Sequence, residues 1–381
     1  MNVEVERGID KGVELLCHEV NNVDGCACGA PNETIGVAEM KRRFLGTFAG
    51  MVATTLCLTV VGDGQTGKPE PATQKTGAPA SRATPRTPWG DPDLHGIWSN
   101  ATTTPLERPN QFARKETLSS EEADQVDREQ SKVRSTDNAP RAGDPGTYNE
   151  AWWERGKLLK QTALVVDPPD GKIPSLTPQA QRNAEGRAAA MIKRGPSDSW
   201  EDRNLHERCI LYHGVPPLPT GYNNNYHIVQ TREYIAILHE MIHEVRLIPL
   251  DGRPHVGSGI RQWMGDSRGH WEGDTLVVDT TNFNVAAGGL YELSHTNLRG
   301  TGETLHVVER FTRRGADEID YRFTVDDPKT FSQSWSGSIP MSKIDGPIFE
   351  YACHEGNYAM TDMLKGARAE ESAAAGGKKS K

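Results

Sequence analysis

From His227 onward, apolar and polar positions alternate in short runs broken by Gly, Pro, Asp and Asn, the period of strands with one buried face. The runs are His227 to Gln230, Tyr234 to Leu238, Val245 to Leu250, Thr275 to Thr281, Leu305 to Thr312, Ile319 to Val325, Ser332 to Ile339 and Ile348 to Cys353. Glu272-Gly273-Asp274 and Arg314-Gly315-Ala316-Asp317 read as hairpin connections. So many sequential antiparallel strands must close or stack to hide their edges. The pattern therefore predicts a mainly β chain, an antiparallel up-and-down β-barrel of the calycin type that encloses one small ligand.

Before residue 206 the period lengthens. Thr117 to Arg134 is helical, with Ser119 and Glu122 spaced as a capping box. Thr162 to Val166 reads as a short strand closed by the turn Asp167-Pro168-Pro169-Asp170-Gly171. Thr177-Pro178 opens a second helix that runs to about Lys193 and stops at Gly195. With Gly96-Ile97-Trp98 as a first strand, residues 105–205 become a helical N-terminal insertion capping the barrel.

The strongest apolar run has a different purpose. Lys41, Arg42 and Arg43 precede an uncharged stretch from Phe44 to Val61, the n-region and h-region of a secretory signal, with Val60 and Gly62 placing cleavage before Asp63. The alternative is an uncleaved N-terminal anchor, the one membrane contact foreseen. Residues 1–39, with Cys17, Cys26 and Cys28, fit no such signal, so Met40 is the expected start; a metal-binding tail through Cys26-Ala27-Cys28 is the alternative. The organisation expected is then a signal at 40–62, a linker at 63–88, one domain at 89–365 and a disordered Ala/Gly/Lys tail at 366–381.

Export changes the reading of the cysteines. After residue 62 only Cys209 and Cys353 remain, and in an oxidising compartment such a pair is expected as a disulfide, two buried thiols being the alternative. The expected location is periplasmic or secreted. A net charge of −9 with no basic stripe excludes nucleic acid as a partner, leaving a small-molecule ligand or substrate, and the oligomeric state is not fixed.

Several stretches resemble a group of exported bacterial proteins, common in soil bacteria, without an assigned activity. They are DPDLHGIW (91–98), VVDPPDGKIPSLTPQAQ (165–181), YNNNYHIVQT (222–231), IPLDGRPH (248–255), GDSRGHWEGDTLVVDTTNF (265–283), LHVVERF (305–311) and EYACHEGNY (350–358). The resemblance implies export and a single domain, and it supplies no substrate and no catalytic assignment. Gly96-Ile97-Trp98 also resembles the G-x-W of the first strand in lipocalin-like barrels.

The candidate chemistry centres on imidazoles and carboxylates. His239-Glu240-Met241-Ile242-His243 matches H-E-x-x-H, which on a helix binds zinc through both His with Glu240 activating water. Here the flanks read as a hairpin, and on a strand the two His lie about 13 Å apart. The resembling group also carries an aromatic residue where His239 stands. Zinc through His239 and His243 is thus the alternative, and no cofactor is the expectation. Glu309 shares a face with Leu305, Val307 and Phe311, so it is either ion-paired with an Arg such as Arg246 or Arg322, or an acid or base of raised pKa. Tyr351, His354 and Glu355 end the last predicted strand, and His243, Arg246 and His255 bracket a neighbouring hairpin. Asp266 to Asp274 lacks the ligand spacing of a calcium loop and reads as a polar hairpin over Trp263 and Trp271.

No phosphate loop, nucleophile elbow or dinucleotide fingerprint occurs, which sets aside kinases, common esterases and nicotinamide enzymes. The reading is an exported enzyme acting on a small apolar or aromatic molecule by hydrolysis, elimination or isomerisation. Glu309 and His354 form the acid and base pair, with His243, Arg246 and Tyr351 as further catalytic candidates. His255, Trp263, His306 and Glu355 are candidate ligand contacts. The alternatives are a non-catalytic binding barrel and the zinc hydrolase.

Overall fold

A computed structural model describes residues 84–135, 150–195, 197–284 and 302–377. The expected signal, the segment upstream of it, most of the linker and the last four residues lie outside the described residues.

The inward alternation holds strand by strand, and it builds a nearly closed antiparallel barrel. The strands are β1 (Gly96–Ser99), β2 (Val165–Asp167), β3 (Asn225–Gln230), β4 (Tyr234–His239), β5 (Val245–Pro249), β6 (Asp266–Glu272), β7 (Thr275–Thr281), β8 (His306–Arg314), β9 (Glu318–Asp326), β10 (Trp335–Ser338) and β11 (Met341–Lys343). Around the barrel they run β5-β4-β3-β1-β11-β9-β8-β7-β6, while β10 pairs with β9 and also with β2. The order departs from a simple up-and-down meander because β1 and β11, distant in sequence, fill the gap between β3 and β9.

The two end strands, β5 and β6, pack against each other without a hydrogen-bonded ladder. Gly269 allows it, since a Cβ there would lie 2.6 Å from Leu250 and 2.9 Å from Ile248. The inward faces then interdigitate as a packed core of Trp98, Tyr226, Ile248, Val307, Tyr321, Phe323 and Trp335 with their aliphatic neighbours. At Trp98 the indole donates to the Leu94 carbonyl at 3.0 Å and carries the Arg313 guanidinium 4.6 Å above its ring.

The insertion contains α1 (Ser120–Arg134) and α2 (Pro178–Lys193). Ser119 and Glu122 form the expected capping box, and Thr177 caps α2 ahead of Pro178.

Three elements differ from the sequence pattern. The Asp266 to Asp274 stretch belongs to a hairpin as expected, but its first arm, absent from the predicted strands, is a full strand: β6 pairs with β7 over seven registers, from Asp266 opposite Thr281 to Glu272 opposite Thr275. Backbone pairing there overrides weak side-chain propensity. The predicted strand from Ile348 to Cys353 does not form. Met341–Lys343 already fills the place between β1 and β9, so the later segment runs past the barrel end with Phe349 69% exposed. Finally, α3 (Tyr358–Gly377) is helical where a disordered tail is expected, since its Ala, Met, Glu and Arg are strong helix formers.

Candidate functional site

Glu309 enters from β8 and is 0% exposed. The Arg246 guanidinium, from β5, spans its carboxylate, with Nη1 donating to Oε1 at 3.0 Å and Nη2 donating to Oε2, and the Tyr321 hydroxyl adds a third bond at 3.0 Å. Arg246 also donates to Ser267 at 2.9 Å and to Thr280 at 2.8 Å. The ion pair foreseen as one reading of Glu309 is therefore present, and its partner is Arg246, not Arg322, which pairs with Asp320. Both carboxylate oxygens are engaged inside a filled barrel. That leaves Glu309 no open face for proton transfer to a ligand.

Polar groups continue from this ion pair toward the barrel end formed by the β4–β5 connection. Tyr226 and His239 lie opposite one another on β3 and β4, both pointing inward, and Glu244 is in phase with Arg246. The Tyr226 hydroxyl meets His213 Nδ1 at 2.8 Å, and the His239 ring stands 5.0 Å from Tyr226 and 6.4 Å from His213. Burial first, then electrostatic repulsion from His213 and Arg246 when His239 is protonated, holds His239 well below the usual imidazole range. Burial also pushes His213 down to about 3, against the opposing Leu218 and Asn223 carbonyls. It raises Glu244 to about 8. His239 Nδ1 and Glu244 Oε2 are buried without a hydrogen-bond partner. Three groups at one end of the barrel are thus held neutral near pH 7.

Two segments cover that end and are fixed to each other. The Cys209–Cys353 disulfide joins them, with Cα atoms 5.7 Å apart. Glu240 accepts from the Phe349 amide at 3.1 Å and from Asn225 at 2.7 Å, so this carboxylate tethers the covering segment. Among the described residues, three of the four non-glycine residues of positive φ lie here: Cys209 (55°), Asn223 (54°) and Ile242 (60°). For a β-branched residue such as Ile242 that conformation is costly, and such strain concentrates at functional sites.

Two cavities share Tyr351 of the second segment. One, of about 650 Å³, is lined by Ala151, Trp152, Trp153, Glu154, Tyr222, Asn223 and Tyr351. The other, of about 520 Å³, lies along the disulfide and includes His206 and Asn357. Trp153 meets Tyr222 edge-on at 5.8 Å, and Gly221 leaves the space its ring occupies. Asn223 lines the larger cavity, and its backbone carbonyl also acts on the buried His213, while His213, His239 and Glu244 line neither cavity.

The structure thus gathers some predicted residues and separates others. Arg246 and Glu309 meet, and Tyr351 lines the mouth. The Glu309–His354 pair does not form: His354 and Glu355 are exposed in the turn after Cys353, outside the Glu309 network, because that segment is not a barrel strand. His255 and His306 line neither of these two cavities. Both bond Asp279, at 2.9 and 2.8 Å, and His255 also meets Asp266 at 3.0 Å. Asp279 raises His306 and is itself lowered by it. Trp263 is half-buried on the loop before β6.

The helix required by a zinc H-E-x-x-H does not form, since His239 ends β4 and Met241–His243 is a single 3-10 turn. The His243 side chain lies outside the described residues. Among the described residues no group of three or more His, Cys, Asp or Glu is arranged to hold a metal ion. Sequence reasoning missed His213, Glu244 and the aromatic wall. Of these, Glu244 could have been found from its phase with Arg246, and Trp152-Trp153 as an aromatic pair in a loop.

The chain matches no family model, no curated protein and no solved structure.

Proposed function

We propose that this is an exported enzyme that takes a small molecule of apolar or aromatic character into the mouth of its barrel and acts on it by acid and base chemistry without an organic cofactor. The observation that carries the reading is the aromatic cavity at Tyr351, backed by His213, His239 and Glu244 held neutral. A concave apolar site with a few convergent polar groups of shifted pKa is the usual form of an active site. A protonated carboxyl donates a proton and a neutral imidazole accepts one, so this set suits hydrolysis, elimination or isomerisation. The Cys209–Cys353 bond supports export, since such bonds persist in oxidising compartments.

A second reading, a non-catalytic binding barrel, is favoured by the complete pairing of Glu309 and the filled interior. Isothermal titration calorimetry with 2-naphthol tests what the two share. Saturable binding that weakens roughly tenfold in Tyr351→Ala is expected, and its absence in the wild type overturns both. They part in a screen of hydrolysable and isomerisable aromatic compounds. Turnover that His239→Phe abolishes while 2-naphthol still binds identifies the enzyme, and binding without turnover identifies the carrier.

A further inference from the structure

We propose that the ligand of the mouth cavity is an organic cation, a methylated ammonium group held by aromatic faces and one carboxylate. The proposal rests on the reading of the mouth as the ligand site and adds the ligand's charge. Four of the lining side chains are aromatic, namely Trp152, Trp153, Tyr222 and Tyr351, and the only charged one is Glu154. The faces of such rings are electron-rich and attract a cation that sheds water cheaply, which a methylated ammonium does and a primary amine does not.

Two details separate this site from a merely greasy one. Glu154 Oε2 accepts the Asn223 amide at 3.2 Å, and no cationic side chain among the described residues salt-bridges this carboxylate, which lines the ligand space. The wall also already binds a cation: the Arg155 guanidinium sits 4.3 Å from the Trp153 ring centroid while paired to Glu150 at 3.0 Å. A neutral aromatic ligand has no use for an unpaired carboxylate at the rim, and an anion is repelled by it. A volume of about 650 Å³ accommodates a trimethylammonium group with the remainder of a small molecule.

The test compares choline with its uncharged carbon isostere, 3,3-dimethylbutan-1-ol, by titration calorimetry on the full disulfide-bonded protein, with 2-naphthol as the reference ligand. Choline is expected to bind saturably and the isostere roughly tenfold more weakly. Glu154→Gln is expected to weaken choline severalfold and leave 2-naphthol unchanged. Gly221→Ala, whose new Cβ collides with the Trp153 ring, is expected to weaken both. Equal affinity for choline and its isostere, or an unchanged choline affinity in Glu154→Gln, overturns the cation assignment. If 2-naphthol still binds, the mouth reading survives that result; if 2-naphthol also fails to bind the wild type, both fall.

Discussion

Glu309 shows how far a single residue can be read from its neighbours. Its phase with Leu305, Val307 and Phe311 places it inside, and a buried carboxylate demands a partner. The partner's identity was within reach because Arg246 alternates inward on its own strand. Ser267, which with Thr280 completes the guanidinium's bonds, was not legible, since β6 does not look like a strand. Removing one half of such a pair strands the other charge. Glu309→Gln is therefore expected to lose about 3–5 kcal/mol in urea denaturation, whereas the paired change Glu309→Leu with Arg246→Met should recover most of it. A Glu309→Gln protein as stable as the wild type would remove the ion pair from its structural role.

Glu244 makes the opposite prediction. Its folded pKa, about 8, lies above its unfolded value of 4.5. Between those values the unfolded chain is ionised and the folded chain is not, so this group lowers stability progressively as pH rises from about 4.5 to about 8. Glu244→Gln should leave stability near pH 4.5 unchanged and raise it at pH 8, read as a rise in Tm. A Tm gain of equal size at both pH values would show that Glu244 is not buried as a neutral acid.

At the scale of elements, the segment His239 to His243 was informative for what surrounds it. Apolar β-branched residues before it and alternation after it predicted a hairpin, and the hairpin forms. What the pattern could not show was that Glu240 reaches across to the Phe349 amide, because the predicted strand at 348–353 is a covering segment instead. An apolar run looks the same to periodicity whether it completes a sheet or lies over its end. The Cys209–Cys353 bond holds that cover and closes a loop with a sequence separation of 144. Replacing both cysteines by Ser is expected to cost about 3–5 kcal/mol and to weaken 2-naphthol binding by freeing Tyr351. Binding unchanged in the reduced protein would show that the disulfide stabilises the fold without shaping the mouth.

For the whole molecule, the barrel was legible because strand period, turn chemistry and the need to hide edges agreed. Its filling was not. The calycin comparison suggests a hollow interior, but Trp98, Tyr226, Tyr321, Phe323 and Trp335 occupy it, and Trp152, Trp153, Tyr222 and Tyr351 line a cavity outside that core. Side-chain volume decides between a container and a packed core, and alternation carries no information about volume. The proposed site is therefore at Tyr351 and not at Glu309 within the strands.

That placement is tested most directly by a crystal structure of the protein soaked with 2-naphthol. The ligand is expected between Trp153, Tyr222 and Tyr351, with the Arg246–Glu309 pair undisturbed. Ligand within the strands beside Glu309, or at His255 and His306 with the mouth empty, would contradict it.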